Sequence, residues 1–496
     1  MSRVVVIGAG LGGLAVAARL ATVGHSVTVC EQAPTIGGKV GTFSRDGFTF
    51  DTGPSLLTLP AVYRDLFITT GQPVEEALDI ESVDPAFRYR FADGTWLTLP
   101  NASRAGTGRA FDEALGAGAG ADWDRFLDRA QAIWLATRTP FLESPLDGPR
   151  DVLRLARRTR DLRTVAPWQT LRGLGKHYLR DPRQRMLLDR YATYSGSDPR
   201  RAPAALAVIP YVEQTFGAWY VRGGLRRLAE AVHDRAVERG VLMRTSCDVA
   251  QVVVEGGRAA GVRLQTGERL DADVVVANAD ASHLYADLVP EPAGRPAVQR
   301  LRRATPSMSG FVLLLAVRGR TPGLAHHTVL FPRDYDAEFD AVFGRPASPA
   351  HDPAIYVSAP DDPALRPDED SEALFVLVNA PRHGEGPGAL DWTAAGLADS
   401  YADRVLAVLA ERGLEVRDRL LWRETRTPAD LERDTRCPGG AIYGTSSNGV
   451  RAAFLRPANR SPVPGLFLVG GSAHPGGGLP LVGLSAAIVA GLVGPA

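Results

Sequence analysis

The chain has 496 residues, which suits two or three lobes better than one compact core. Lysine plus arginine and aspartate plus glutamate number 56 each, so the formal net charge is zero and gives no overall attraction to nucleic acid. The 3 cysteines lie far apart without a Cys-x-x-Cys pair. This argues against a metal site or a disulfide framework and fits a reducing compartment.

The first sixty residues have the order of a βαβ unit. The apolar run Val4–Ile7 predicts a strand, and the Gly-x-Gly-x-x-Gly segment Gly8–Gly13 follows it directly. A helix rich in alanine and leucine should then run to Val23 and end at Gly24. Val27–Cys30 predicts the second strand. The order of these elements is typical of a dinucleotide-binding turn.

Each glycine of the first motif has a separate physical role in such a turn. Gly8 permits the sharp bend, Gly10 allows a diphosphate to approach the backbone, and Gly13 lets the helix pack closely on the strand. The unpaired N–H groups at the start of the helix favour an anion there. Glu31 lies 21 residues after Gly10, near the spacing expected of an acid that binds ribose hydroxyls. The motif indicates FAD or NAD, and a strand–helix turn without a ligand is the alternative.

A second glycine pair distinguishes the two dinucleotides. Gly37 and Gly38 come soon after Glu31 and precede Lys39. FAD needs a second close approach of the backbone, to which Lys39 can add a positive charge, so this pattern favours FAD. A solvated surface lysine is the alternative for Lys39, and an ordinary turn is the alternative for Asp51–Pro54.

The C-terminal segment carries a third motif. A strand is predicted over Leu466–Val469, then a glycine-rich loop, and a short helix over Val482–Val493. The segment 465–496 has no charged side chain, but Pro475 and Pro480 interrupt it. We therefore expect it to be a strand, a turn and a short helix instead of a membrane span.

These motifs resemble known families. The run from Gly8 to Pro54 resembles the flavin amine oxidase superfamily, and the segment Gly470–Pro480 is similar to the bacterial phytoene desaturase family within it. The resemblance implies an FAD cofactor, with the first two glycine motifs and Glu31 near the ADP half and the last loop near the flavin. The cofactor-binding residues that it implies are Gly8, Gly10, Gly13, Glu31, Gln32, Gly37, Gly38, Lys39, Gly53, Pro54, Val249, Gly470, Gly471, Leu479, Pro480 and Leu481.

The fold class implied is α/β. It consists of a Rossmann-like FAD-binding domain of the flavin amine oxidase and glutathione reductase type, assembled from discontinuous segments, together with an α+β substrate lobe. The predicted FAD-binding segments are residues 1–60, 222–289 and 465–496. Residues 61–221 should form the first part of the substrate lobe, which associates with the membrane, and residues 290–464 the second part.

The function implied is the desaturation of a long polyprenyl chain of the carotenoid type, including 3,4-desaturation of a hydroxylated carotenoid. The chemistry needs an apolar tunnel beside the flavin and exclusion of water. Aromatic candidates for that tunnel are Tyr211, Phe216, Trp219 and Tyr220, with ordinary core packing as the alternative.

Candidates for proton transfer are few. His474 is the catalytic candidate because it lies in the flavin loop, with packing at the helix end as the alternative. Glu213 is a weaker candidate, with a solvated surface acid as the alternative. The sequence shows no evident third metal ligand for the pair His326 and His327. We therefore expect the two residues to lie at the end of a strand instead of in a metal site.

Membrane association is expected because carotenoid precursors dissolve only in membranes. The stretch Arg150–Arg190 is rich in arginine with interleaved apolar residues, which is typical of a peripheral contact with anionic lipid. A solvated helical face is the alternative. The sequence thus predicts a cytoplasmic, peripheral membrane protein.

Other functions on the same fold remain open. An oxidase of soluble amines would have a small pocket and an aromatic cage. A carotenoid oxygenase or a poly-cis isomerase would share the same frame. Rab escort proteins and GDP dissociation inhibitors resemble the fold without redox function, but the intact motifs argue against such a prenyl-binding role. Carotenoid length, terminal electron acceptor and oligomeric state do not follow from the sequence.

Overall fold

A computed structural model describes residues 1–146, 159–449, 452 and 456–496 of the chain. The strands of the described ranges are β1 Arg3–Ile7, β2 Ser26–Cys30, β3 Thr42–Arg45, β4 Phe48–Asp51, β5 Ile80–Ser82, β6 Phe87–Arg90, β7 Trp96–Leu99, β8 Trp219–Val221, β9 Leu242–Arg244, β10 Val249–Glu255, β11 Arg258–Leu264, β12 Arg269–Asp271, β13 Val274–Ala277, β14 Ser309–Arg318, β15 His327–Leu330, β16 Ile355–Ser358, β17 Ser371–Ala380, β18 Arg382–His383, β19 Ala389–Leu390, β20 Leu420–Arg426 and β21 Leu466–Leu468.

Helices lie between these strands. In the same ranges they are α1 Leu11–Thr22, α2 Ala61–Thr70, α3 Arg104–Leu115, α4 Ala119–Thr137, α5 Thr159–Val165, α6 Leu171–Tyr178, α7 Pro182–Thr193, α8 Val208–Phe216, α9 Arg226–Glu238, α10 Ala281–His283, α11 Arg295–Leu301, α12 Tyr335–Val342, α13 Leu397–Glu411, α14 Pro428–Thr435 and α15 Leu479–Val493. None of the described helices is both long and apolar enough to cross a bilayer.

A parallel five-stranded sheet forms the first lobe. Its strand order is β21-β13-β1-β2-β9, so strands from the beginning, middle and end of the chain pair side by side. The central strand β1 is apolar from Val4 to Ile7 because both faces of the sheet are covered. Burying each such valine or isoleucine contributes about 1.5–3 kcal/mol to stability.

Different layers cover the two faces of this sheet. Helices α1, α9 and α15 pack on one face, and the antiparallel sheet β10-β11-β12 packs on the other. Gly256 and Gly257 form the hairpin turn between β10 and β11. The α/β class is confirmed. The segment boundaries at residues 60, 221, 289 and 464 stay a prediction.

A mixed seven-stranded sheet forms the second lobe, in the order β20-β14-β17-β16-β15-β6-β7. The helices between residues 104 and 216 bury one of its faces, and α13 buries the other. His327 begins strand β15 and is completely buried there, while His326 precedes it, so the expected strand end is confirmed.

The predicted elements agree with the structure, with small differences at their ends. The strand predicted over Val4–Ile7 begins one residue earlier, at Arg3, and the helix that follows it ends at Thr22 instead of Val23. The last helix differs most, because it begins at Leu479 instead of Val482. Pro480 does not prevent this start, since proline fits the first turn of a helix, where no partner for its missing N–H is needed.

Candidate active site

The carboxyl ends of the parallel strands open into a cavity of about 1270 Å³. Ile7 and Cys30 end β1 and β2 at its wall, and Asn278 and Gly470 follow β13 and β21 there. Ligands of open parallel sheets bind at this edge. The volume exceeds the roughly 300–1,000 Å³ of ordinary ligand pockets.

The structure brings nearly all of the predicted cofactor-binding residues to this cavity. The exception is Gly13, which lies behind the wall, where a Cβ atom would stand 2.1 Å from the Gly8 carbonyl oxygen. Its predicted role in close helix packing agrees with this position. The predicted residues on the wall are Gly8, Gly10, Glu31, Gln32, Gly37, Gly38, Lys39, Gly53, Pro54, Val249, Gly470, Gly471, Leu479, Pro480 and Leu481.

The two glycine loops of the N-terminal segment touch each other. The Gly37 N–H donates to the Ala9 carbonyl oxygen at 2.8 Å, and a Cβ on Gly38 would lie 3.4 Å from the Gly10 Cα. A Cβ on Gly53 would lie 1.7 Å from the Lys39 carbonyl oxygen. The wall here is therefore bare backbone, which a phosphate or ribityl group can approach.

Asn278 joins this wall to the C-terminal loop, and sequence reasoning missed it. A Cβ on Gly10 would lie 2.6 Å from its Nδ2, and a Cβ on Gly12 or Gly470 would lie 2.7 or 2.5 Å from its Oδ1. The side chain thus fills the space left by three glycines. The available signal was a polar residue directly after strand Val274–Ala277, at the functional edge of a parallel sheet.

Two helix N-termini converge on the cavity. Helices α1 and α15 begin at Leu11 and Leu479, both on the wall, and neither has a side-chain cap. They lie close together, because a Cβ on Gly12 would stand 3.1 Å from Val482 Cγ1. Uncapped N–H groups and two positive dipole ends favour negatively charged groups in this space.

Polar side chains fix the loops around these helix ends. Buried Glu31 accepts hydrogen bonds from the N–H groups of Ala9 at 2.6 Å and Ala33 at 2.9 Å. Lys39 donates to the Ile442 carbonyl oxygen at 2.7 Å, which ties the second glycine loop to the C-terminal third of the chain. Gln32 donates to the carbonyl oxygen of Asp434 at 3.4 Å.

Comparison with known proteins identifies the family. The model of the family described as flavin-containing amine oxidoreductase matches residues 11–493. The chain belongs to this family. It is accordingly an oxidoreductase, and its cofactor is FAD.

Relatives match over nearly the whole chain. A 4,4'-diapolycopene oxygenase from Methylomonas sp. is 35% identical, over 98% of this chain and 97% of its own. A hydroxyneurosporene desaturase from Rubrivivax gelatinosus is 35% identical, over 98% and 92%. A putrescine oxidase structure has a TM-score of 0.66 at 16% identity and covers 99% of both chains, which shows the common fold.

The wall fits FAD. A cofactor with a diphosphate needs bare backbone and N–H donors, which the loops Gly8–Gly12 and Gly37–Gly38 present side by side. Glu31 stands at the end of β2, where a carboxylate can meet ribose hydroxyls. The individual cofactor contacts of these residues stay predictions.

His474 lines the cavity as a neutral, tethered ring. Burial lowers its pKa to about 4, and Nε2 donates to the Ser144 carbonyl oxygen at 3.0 Å. Phe141 packs edge-on against the ring, with 5.2 Å between ring centres. These contacts fix the loop against residues 141–144 and support the packing alternative; its catalytic role stays a prediction.

The four aromatic tunnel candidates do not line this cavity. Tyr211 and Tyr220 are buried in the core of the second lobe, and Tyr220 donates a hydrogen bond to Asp362. Trp219 lies against Arg64, and Phe216 is partly exposed beside Trp134. Their spacing in the sequence gave no information on the side of the lobe to which they point.

Glu213 is not the solvated surface acid that was its alternative reading. It is buried on the cavity wall and accepts hydrogen bonds from the hydroxyls of Tyr191 at 2.5 Å and Tyr194 at 3.3 Å. Burial raises its pKa to about 7, against the opposing effects of the Tyr191 hydrogen bond and the charge of Arg190. The carboxyl group can therefore bind or release a proton near neutral pH.

Glu31→Gln should weaken FAD binding about 10- to 100-fold, because a hydrogen bond to a charged group is worth about 1.5–3 kcal/mol. The measurement is equilibrium binding of FAD to the apoprotein. Glu76→Gln, at an exposed acid outside the cavity, is the control. Equal FAD affinity of both variants and the parent protein would remove Glu31 from the cofactor site.

Glu213→Gln should change how stability depends on pH. The folded pKa of about 7 exceeds the ordinary 4.5, so the folded state holds an extra proton between these values. The contribution of Glu213 to the free energy of unfolding therefore falls as the pH rises from 4.5 to 7, by about 3 kcal/mol. Glu213→Gln lacks this loss, so its free energy of unfolding should rise relative to that of the parent protein as the pH increases from 4.5 to 7.

Denaturant unfolding at pH 5 and pH 8 measures this difference. Other buried acids, such as Asp51 and Glu338, also have raised pKa values, but their effects cancel between the two proteins. Parallel stability curves of the variant and the parent would show that Glu213 has an ordinary pKa.

Proposed function

We propose that the protein is an FAD-dependent desaturase of a long polyprenyl chain of the carotenoid class. The observation that carries this proposal is that the glycine-lined part of the cavity continues into a large apolar part of the same cavity. A small polar substrate would not need that second part. The apolar side chains include Leu162, Val165, Leu206, Val208, Ile209, Val212, Val312, Val329, Phe375 and Leu377.

The chemistry proposed needs positioning more than acid–base catalysis. Bound FAD would supply a hydride acceptor for one carbon of the substrate, and His474 or Glu213, the candidate bases of this chain, would take the proton from the neighbouring carbon. The residues of the chain would hold the polyene against the cofactor and exclude water, because apolar side chains of both lobes line the cavity. The paired helix N-termini of α1 and α15 would favour negative charge on the cofactor.

The names of the relatives support a substrate of the carotenoid class and indicate two possible reactions, desaturation and oxygenation. A hydroxyneurosporene desaturase and a 4,4'-diapolycopene oxygenase are both 35% identical to this chain. Desaturation is our first candidate, since the C-terminal loop Gly470–Pro480 resembles that of the phytoene desaturases. Oxygenation of the same substrate class is the second candidate, favoured by the similarity to the 4,4'-diapolycopene oxygenase.

We propose a peripheral contact of a cytoplasmic protein with the membrane. Exposed Leu135 and Trp168 are sequence neighbours of Trp134 and Pro167 of the cavity wall, so two large apolar groups face solvent beside residues that line the cavity. Arg172, Arg180 and Arg183 of the predicted basic stretch form ion pairs with acids, which lowers the net positive charge that they offer to lipid. Its residues 150–158 lie outside the described residues.

Co-expression with pathways that accumulate acyclic carotenoids tests the function. A product lighter by two hydrogens, with absorption shifted to the red, is the expected result. A product that has gained oxygen would favour the second candidate. Unchanged pigments beside a soluble, FAD-loaded protein would contradict both, and an inactive variant that cannot hold FAD supplies the baseline.

A further inference from the structure

A polar pocket interrupts the apolar wall where α7 meets α8. Arg190, Tyr194, Glu213 and Tyr356 all line the cavity at this place. The guanidinium carbon of Arg190 lies 5.2 Å from the ring centre of Tyr194 and 5.4 Å from that of Tyr356. We call these four residues the Arg190 pocket.

Arg190 is the positively charged member of this pocket and lines the cavity. Its Nε is buried and has no hydrogen-bond partner in the described part of the chain. A guanidinium carries five N–H donors and stays charged in proteins. Contacts with two aromatic faces offset only part of the unfavourable burial of such a group. An acceptor supplied by a ligand would complete the site.

Glu213 supplies acceptors beside this donor. Its two oxygens accept hydrogen bonds from Tyr191 and Tyr194, but a carboxylate has about four acceptor sites, so some remain free. The pocket therefore offers both a strong donor and a strong acceptor within an otherwise apolar wall. An alcohol can use both groups, and a carbonyl can use the donor.

The pocket is connected to the predicted cofactor site. The hydroxyl of Ser55 donates to the hydroxyl of Tyr356 at 2.9 Å, and Ser55 directly follows the Gly53–Pro54 turn. Through Tyr356 and Ser55 the pocket therefore adjoins the Gly53–Pro54 turn of the predicted cofactor site.

We propose that the Arg190 pocket binds an oxygen atom carried by the polyprenyl substrate, as a hydroxyl or an aldehyde group. A pure hydrocarbon gives Arg190 no acceptor, whereas an oxygen substituent accepts its hydrogen bond. The pocket therefore selects oxygenated chains over hydrocarbons. This inference rests on the proposed function, because it assumes that the cavity holds a polyprenyl chain.

Equilibrium binding to the FAD-loaded protein tests the proposal without requiring turnover. The probes are one acyclic polyene as the hydrocarbon, as its terminal alcohol and as its terminal aldehyde, and the readout is quenching of protein and flavin fluorescence. The parent protein should bind the alcohol about 10- to 100-fold more tightly than the hydrocarbon, as expected for a hydrogen bond to a charged group.

Variants of the pocket give the decisive comparison. Arg190→Met should bring the ratio of alcohol to hydrocarbon affinity near one, and Arg190→Lys should restore part of it. Glu213→Gln should weaken binding of the alcohol more than binding of the aldehyde. Arg185→Met, on the same helix but away from the cavity wall, is the control. Thermal unfolding and flavin content verify that each variant is folded and loaded.

The possible results distinguish the role of the Arg190 pocket in binding from the proposed oxidation of the substrate. Equal affinities of the parent protein for all three probes, or a preference that survives in Arg190→Met, would overturn the role of the pocket. A strong preference for the alcohol that disappears in Arg190→Met supports it. Tight binding of the oxygenated polyene without its oxidation would contradict the proposed reaction and still support the proposed role of the pocket in binding.

Discussion

The site depends on close approach between the backbones of three separate segments of the chain. Asn278 lies among Gly10, Gly12 and Gly470, where any Cβ atom would come within 2.7 Å of its side chain. This packing brings the start of the first helix against the start of the last one. Without it, the two helix N-termini could not face one space, and the parallel sheet would end in separate turns with no common anion-binding wall.

The cavity combines two environments that serve different parts of the chemistry. Bare backbone and helix ends form the half that suits a charged dinucleotide, and aliphatic and aromatic side chains form the half that suits a hydrocarbon chain. The Arg190 pocket lies in the second half and is connected to the first through Tyr356 and Ser55. A substrate that is apolar over most of its length and polar at one place matches this distribution.

The sequence predicted which residues line the glycine-rich half of the cavity, because the signals for them are local. Glycine spacing, β-branched runs and the acid at Glu31 are read within one βαβ unit, and their positions on the wall follow from that unit. The sequence analysis missed Asn278 and did not show that Glu213 is buried, because the environment of each comes from distant segments. Burial of Glu213 requires Tyr191 of a different helix, and the glycines around Asn278 come from both ends of the chain. Similarly, the direction of Tyr211 or Phe216 depends on lobe packing that no local pattern encodes.

Anaerobic mixing of the FAD-loaded protein with an acyclic polyene in lipid vesicles tests the central claim most directly. The account predicts that the absorbance of oxidised flavin disappears, with one product molecule lighter by two hydrogens for each flavin reduced. The experiment should include a soluble primary amine as a second reductant. Flavin that is reduced by the amine and stays oxidised with every polyene would contradict the account and assign the protein to amine oxidation.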